Sequence, residues 1–214
     1  MNNFTQILLY LILLMVLSII ITFIAGLIGV PAGCRLYIKD TCPNGENDSA
    51  GKFLSSLILI VRLLTPIGLL ILIAALRESY NTGMVLTLFL SSIFTILILF
   101  TTVANATEKA VFSVPNAVWD TGLSTGASKN KVMKTMVLPN IKMTICSELI
   151  KLMPISLFLL FVASLVVQNR MGELITTALT EHDYPPLLLT IVLFFIYNYI
   201  CGKLSDKYKS GDQV

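Results

Sequence analysis

WDTGLSTGASKNKVMKTMVLP, running from Trp119 to Pro139, is a polar interval set between two long apolar runs. Three lysines fall in its last eleven residues, Gly126-Ala127-Ser128 occupies its middle, and Leu138-Pro139 closes it. Val118–Leu123 and Lys131–Val137 are compatible with two short helices, and a glycine between them at 126 adopts positive φ without a Cβ penalty, so the chain can reverse there. The stretch therefore reads as a helix-turn-helix at a membrane face. Thr121, Gly122 and Ala127 are small enough to admit a partner's backbone. Leu138-Pro139 is expected to end the second helix and begin the next crossing, because proline disfavours helix in the residue before it. On its residues alone the interval is either a docking element for a soluble partner or a solvated amphipathic connector.

The setting of this hairpin follows from composition. Hydrophobic residues make up 56% of the 214, charged residues 13%, and mean hydropathy is +0.85, more apolar surface than a soluble domain of this length buries. A hydrocarbon core about 30 Å thick takes roughly 20 helical residues to cross. Five runs meet that length: Phe4–Val30, Phe53–Leu76, Met84–Ala104, Ile145–Val167 and Leu187–Leu204. The chain is thus expected to be all-α and integral to the membrane, one domain over 1–214 with about five transmembrane helices. The first run has no basic n-region and no small-x-small cleavage site after it, so it reads as a retained anchor.

Basic residues give the orientation. With the N-terminus outside, the segments 31–52 and 105–144 and the C-terminal tail lie inside and carry Arg35, Lys39, Lys52, Lys109, Lys129, Lys131, Lys134, Lys142, Lys203, Lys207 and Lys209. The outside segments keep Arg77 and Arg170. Eleven against two is a strong positive-inside bias, so the net charge of +3 is a topology signal. No basic patch interleaved with aromatics suggests nucleic acid.

Other chemistries find little support. Cys34 and Cys42 share the first inside segment, Cys146 and Cys201 sit in apolar runs, and no CxxC or His/Cys cluster points to a metal. GENDSAGKF, from Gly45, has five residues between its glycines instead of four and Phe53 where a phosphate loop needs Ser or Thr. The single histidine, His182, has no serine or cysteine partner in a recognisable setting, so a hydrolytic triad is unsupported. Phe158, Phe161, Phe194 and Phe195 read as lipid-facing or packing residues, Pro154 as a kink or unwinding of its helix, and Trp119 as an interfacial anchor for the hairpin.

At Trp119–Pro139 the chain resembles the inner-membrane permease subunits of binding-protein-dependent ABC importers. Their cytoplasmic signature reads EAA, three residues, Gly, nine residues, a hydrophobic residue, one more, then Leu-Pro. Asp120, Thr121, Gly122, Gly126, Met136, Leu138 and Pro139 stand at those spacings, with Asp for Glu and Thr-Gly for the two alanines. FSVPNAVW at Phe112–Trp119 is similar to the Ser-Val-Pro…Trp that precedes the signature in the polar amino acid branch. Gly172-Glu173-Leu174 resembles a Gly-acidic-Leu after the fourth crossing, at a distance from Pro139 closer to the methionine branch. Two matches are imperfect: Arg62-Leu63-Leu64-Thr65-Pro66 is one residue longer than the family's Arg-Gly-Thr-Pro, and Asn105 and Glu108 stand where amino acid permeases often carry Glu and Arg.

The resemblance implies an amino acid permease in the bacterial inner membrane that forms half of a translocation pathway. It implies no catalysis and no cofactor of its own, ATP being bound by a cytoplasmic ABC ATPase that receives the hairpin. It also implies a homodimer or a sister permease and an external solute-binding protein, in addition to the surrounding lipid. Within the membrane, Glu148 and Lys151 are three apart on one helical face and can pair. Together with Arg62 they either line the pathway and meet a zwitterionic substrate, or sit at the cytoplasmic end of the helix and snorkel. Two further readings stay open: a non-transporting scaffold descended from a permease, favoured by the altered start of the signature, and a self-contained channel or secondary carrier, favoured by the intramembrane charges.

Overall fold

The computed structural model describes residues 3–41, 53, 55–61, 84–166, 170–182 and 184–210. Among them are the helices α1 (Asn3–Thr41), α2 (Met84–Phe112), α3 (Asn116–Ser124), α4 (Lys129–Val132), a π-helical turn (Met133–Val137), α5 (Leu138–Val166), α6 (Arg170–Thr180) and α7 (Tyr184–Ser210). The described residues contain no strand, and 55–61 are helical too. Among the described residues, four helical stretches are long and apolar enough to cross a membrane: Thr5–Ile38, Leu88–Phe112, Lys129–Leu165 and Tyr184–Lys209. They correspond to four of the five expected crossings. Most of the remaining run, Phe53–Leu76, lies outside the described residues, as does Arg62.

The bundle is assembled on α1. Midway along it, Leu14, Ile21 and Ala25 pack with Leu99 and Val103 of α2 and with Leu152, Leu157 and Leu160 of α5. Farther on, α1 and α2 come very close: a Cβ added at Gly29 would lie 2.8 Å from Val103, and one at Gly33 would collide with the Ala104 carbonyl and with Thr107. Small residues four apart let two backbones approach in this way, where lipid gives apolar contact no advantage and packing has to supply the attraction. At the N-terminal end of α1, Ile7 and Leu11 meet Leu174 and Ile175 of α6. At the other end, Cys34 and Tyr37 join a cluster with Val111, Val114, Trp119, Val132, Met133 and Val137. The outer face stays apolar, with Phe23 64% and Phe195 71% exposed, the inversion expected of a chain solvated by lipid.

Hydroxyls bridge the helices inside this apolar bundle. Ser18 Oγ on α1 and Tyr197 Oη on α7 are 2.9 Å apart. Thr22 Oγ1 donates to Ser156 Oγ of α5 at 3.2 Å, and Ser147 and Ser205 join α5 to α7 at 2.8 Å. Each hydroxyl that finds a partner avoids the cost of an unpaired polar group in a low-dielectric interior.

The observed helices outrun the expected crossings. α1 continues past Val30 to Thr41, so Cys34 and Arg35 are helical and Cys34 is buried in place of lying in a loop. α2 runs on past Ala104 to Phe112. Tertiary burial of Ala32, Leu36 and Tyr37, which recur at helical spacing, is what sustains the extra turns. α5 is also unbroken at Pro154, where unwinding was an expected alternative to a kink.

Candidate functional site

The hairpin is built from both sides of Gly126. Pro115, extended at φ −56 and ψ 139, precedes the first residue of α3, a position where its missing N–H goes unneeded. α3 ends with the Gly126 N–H donating to Leu123 O at 2.9 Å and with Gly126 at φ +75. A Cβ at Gly126 would have nothing within 4 Å, so the glycine serves the left-handed backbone and not close packing. Ser128 then caps the second arm through its carbonyl, which accepts from Lys131 N and Val132 N at 2.9 and 3.0 Å.

The second arm departs from the expected form. Leu138-Pro139 does not end it: the chain passes from α4 through the π turn into α5 without a break. The Leu138 N–H donates to the Met133 carbonyl, five residues back. Pro139 has no N–H to continue the ordinary pattern, and the widened turn absorbs the mismatch, so the proline sits in what amounts to a first helical turn. The hairpin's second arm and the next crossing are therefore one lever.

The two arms close on Gly122. A Cβ there would lie 2.6 and 2.7 Å from the methyls of Val132 and 3.1 Å from Met136 Sδ. The small residue at this signature position makes room for the chain's own second arm, whereas close approach by a partner was expected. Trp119 likewise faces inward: it is buried and stacks on Tyr37 of α1, ring centroids 5.2 Å apart and planes at 20°. Phe112 meets Tyr37 edge-on at 4.7 Å. Ala127, Met136 and Leu138 pack against the same cluster. What the hairpin shows outward is Asp120, Thr121, Leu123–Gly126, Ser128–Lys131, Lys134, Thr135 and Pro139. The result is a rigid element, clamped to α1 on one face and presenting an acidic side chain, small polar groups and two lysines at its tip.

The intramembrane pair also forms. Lys151 Nζ lies 2.6 Å from Glu148 Oε1, with both side chains more than two-fifths exposed, so the pair stands at an accessible face of the bundle. Glu148 lines a cavity of about 590 Å³ with Thr101, Thr102, Asn105, Lys109 and Thr144. Asn105 thus shares a polar pocket with Glu148, although the two stand on different helices and far apart in sequence.

Residues 28–208 match the family described as the binding-protein-dependent transport system inner membrane component. The chain belongs to this family. The permease is similar along nearly its whole length to two solved structures. One shows the MetNI methionine ABC transporter in inward facing conformations, at 17% identity, 99% of each chain and a TM-score of 0.67. The other is an amino acid ABC transporter crystallised with histidines, at 16% identity, 98% of this chain and 99% of that one, and a TM-score of 0.69. At such identities the likeness is one of fold. No curated protein matches the permease. Family and apolar spans together make it a multi-pass inner-membrane component of an ABC importer, a family whose members work with an ATPase, a binding protein and a second permease half.

Sequence reasoning missed several residues on which the permease's architecture depends. The spacing of Gly29 and Gly33 is a signal that could have located the α1–α2 crossing. Nothing local in the sequence marks Tyr37 as the seat of Trp119, or Val132 as the filler of the space above Gly122, because both contacts are decided by how distant elements dock.

Proposed function

We propose that this permease forms half of the translocation pathway of an amino acid importer and that the hairpin 119–139 couples it to a cytoplasmic ABC ATPase. The carrying observation is the hairpin's construction: one face is immobilised on α1 through Trp119 and Tyr37, and its second arm is continuous with α5. A push on the tip is therefore delivered to a membrane-spanning helix. ATP is bound and hydrolysed by the partner; its closure would rotate the helices as rigid bodies and switch the pathway between inside and outside. Asp120, Thr121, Gly126 and the neighbouring lysines form the contact. Gly122, Ala127, Met136, Leu138 and Pro139 hold its shape.

The substrate reading rests on the cavity lined by Glu148, Lys109 and Asn105, with Lys151 paired to Glu148, where opposite charges and the Asn105 amide suit a zwitterion. Both solved relatives are amino acid transporters, which agrees with it. A second permease half, identical or sister, completes the pathway, and an external binding protein delivers the solute. The N-terminus lies outside and the C-terminus in the cytoplasm. The end of the bundle that carries the hairpin also brings Ser147 beside Ser205, so the basic tail of α7 gathers at the same end as Arg35 and the hairpin lysines, in keeping with the positive-inside rule.

The test is to solubilise the tagged permease gently and identify what co-purifies with it and with Gly126→Asp. An ATPase held by the parent and lost from an inserted Gly126→Asp variant supports the coupling role. A parent that brings down no ATPase overturns it.

A further inference from the structure

We infer that the groove between the end of α1 and the second arm of the hairpin is a binding site for an anionic phospholipid of the adjoining leaflet. The cavity measures about 530 Å³ and is lined by Val30, Pro31, Ile38, Met133 and Leu138, with Arg35 and Lys134 at its polar side. Both cations are exposed, and among the described residues neither has an ion pair. Two positive charges facing one cavity repel each other, and an anion between them removes that cost.

The apolar wall narrows the choice of anion. A free phosphate would satisfy the cations and leave five hydrophobic side chains wet, whereas a phospholipid brings a phosphate and an acyl chain on one molecule. Depth agrees: Arg35 stands three residues before the end of the Thr5–Ile38 span, and Lys134 lies in the first turns of the Lys129–Leu165 span. Both therefore stand at the same end of the bundle, the kind of place where basic pockets between helices hold acidic lipids. The lipid bridges α1 to the hairpin beside Met133, which is buried in the same cluster as Trp119. Its presence thus steadies the angle at which the hairpin leaves the membrane.

The experiment is native mass spectrometry of the full-length permease in detergent, titrated with phosphatidylglycerol or phosphatidylcholine. The expected result is one phosphatidylglycerol retained in preference to phosphatidylcholine, with Arg35→Ala/Lys134→Ala weakening it by roughly thirtyfold, the attraction two basic side chains contribute near an anionic surface. Lys142→Ala/Lys203→Ala removes the same charge elsewhere and leaves retention unchanged. Equal retention of both lipids, an equal loss in both double variants, or displacement by millimolar inorganic phosphate overturns the site. If the double variant unfolds, Lys134→Gln alone carries the comparison, with about a fivefold loss expected, near the contribution of one such cation. In native membranes a photo-crosslinker at Ile38 should label phospholipid, and label found only on a protein shows that a partner occupies the groove instead. Because the lipid site needs no ATPase, its test stands if the coupling role of the hairpin fails.

Discussion

Trp119 lies flat on Tyr37, rings 5.2 Å apart and 20° from parallel, and this contact ties the hairpin to α1, the longest of the described helices. The indole Nε1 is buried without a hydrogen-bond partner, so the contact is one of area and stacking. Trp119→Phe should then cost little, because it removes an unsatisfied donor whose burial is worth about 1–3 kcal/mol. Trp119→Ala should cost about 3–5 kcal/mol of local stability, the usual toll of emptying a large buried site. Since Trp119 is the only tryptophan, its emission reports the docking directly. We expect a blue-shifted, poorly quenched signal in the parent and a red shift in Tyr37→Ala; an unchanged spectrum in that variant would show that the stack does not hold the hairpin.

Gly122 leaves no room for a side chain against Val132 and Met136. Gly122→Leu should spread the two arms, costing about 1–3 kcal/mol as overpacking does, and should abolish ATPase association while the membrane spans still insert. The companion Gly122→Leu/Val132→Ala should recover part of the loss. Measuring both by co-purification separates a packing defect from loss of a contact with the partner.

Gly126 makes the opposite demand, for backbone conformation without restriction on space. Asn tolerates positive φ better than other residues, and a bulkier residue pays roughly 1–2 kcal/mol there. Gly126→Asn should retain coupled uptake in reconstituted vesicles, and Gly126→Val should lose it at equal protein abundance. Equal activity of the two would mean that the left-handed turn is not what the hairpin needs.

Lys151 and Glu148 pair at 2.6 Å on an accessible face of α5. Lys151→Ala should abolish amino acid uptake with the protein still present and inserted. Uptake at the parental level would assign the pair to snorkelling at the end of the span.

Thr22 and Ser156 bridge α1 and α5, and Ser156 also donates to the Ser18 carbonyl at 3.2 Å. Bonds of this kind between membrane helices average about 0.6 kcal/mol and reach roughly 1.7 kcal/mol. Ser156→Ala should lower the thermal unfolding midpoint in detergent modestly, and Thr22→Val combined with it should cost less than the sum of the two because they share one bond. Strict additivity would show that the hydroxyls act separately.

Apolar run lengths, the lysine distribution and the signature spacing of Gly126, Met136, Leu138 and Pro139 were all readable in one dimension. They yielded the helical membrane class, four of the crossings that the described residues display, and the left-handed turn at Gly126. The reading failed at Leu138-Pro139, where a local proline rule predicted a break and a π turn allowed continuity. It failed again at Trp119 and Gly122, whose composition suited contact with lipid or a partner and whose actual neighbours are Tyr37 and Val132.

The sequence by itself determined that the chain is helical and membrane-spanning, because hydrophobic length and backbone hydrogen bonding in lipid leave few other solutions. Only the tertiary structure decided which face of the hairpin is buried, that its second arm and α5 are one lever, and that Asn105 and Glu148 share a pocket. Those outcomes depend on contacts between residues far apart in the chain, whose energies are set by how closely whole helices approach and not by any residue's own preference.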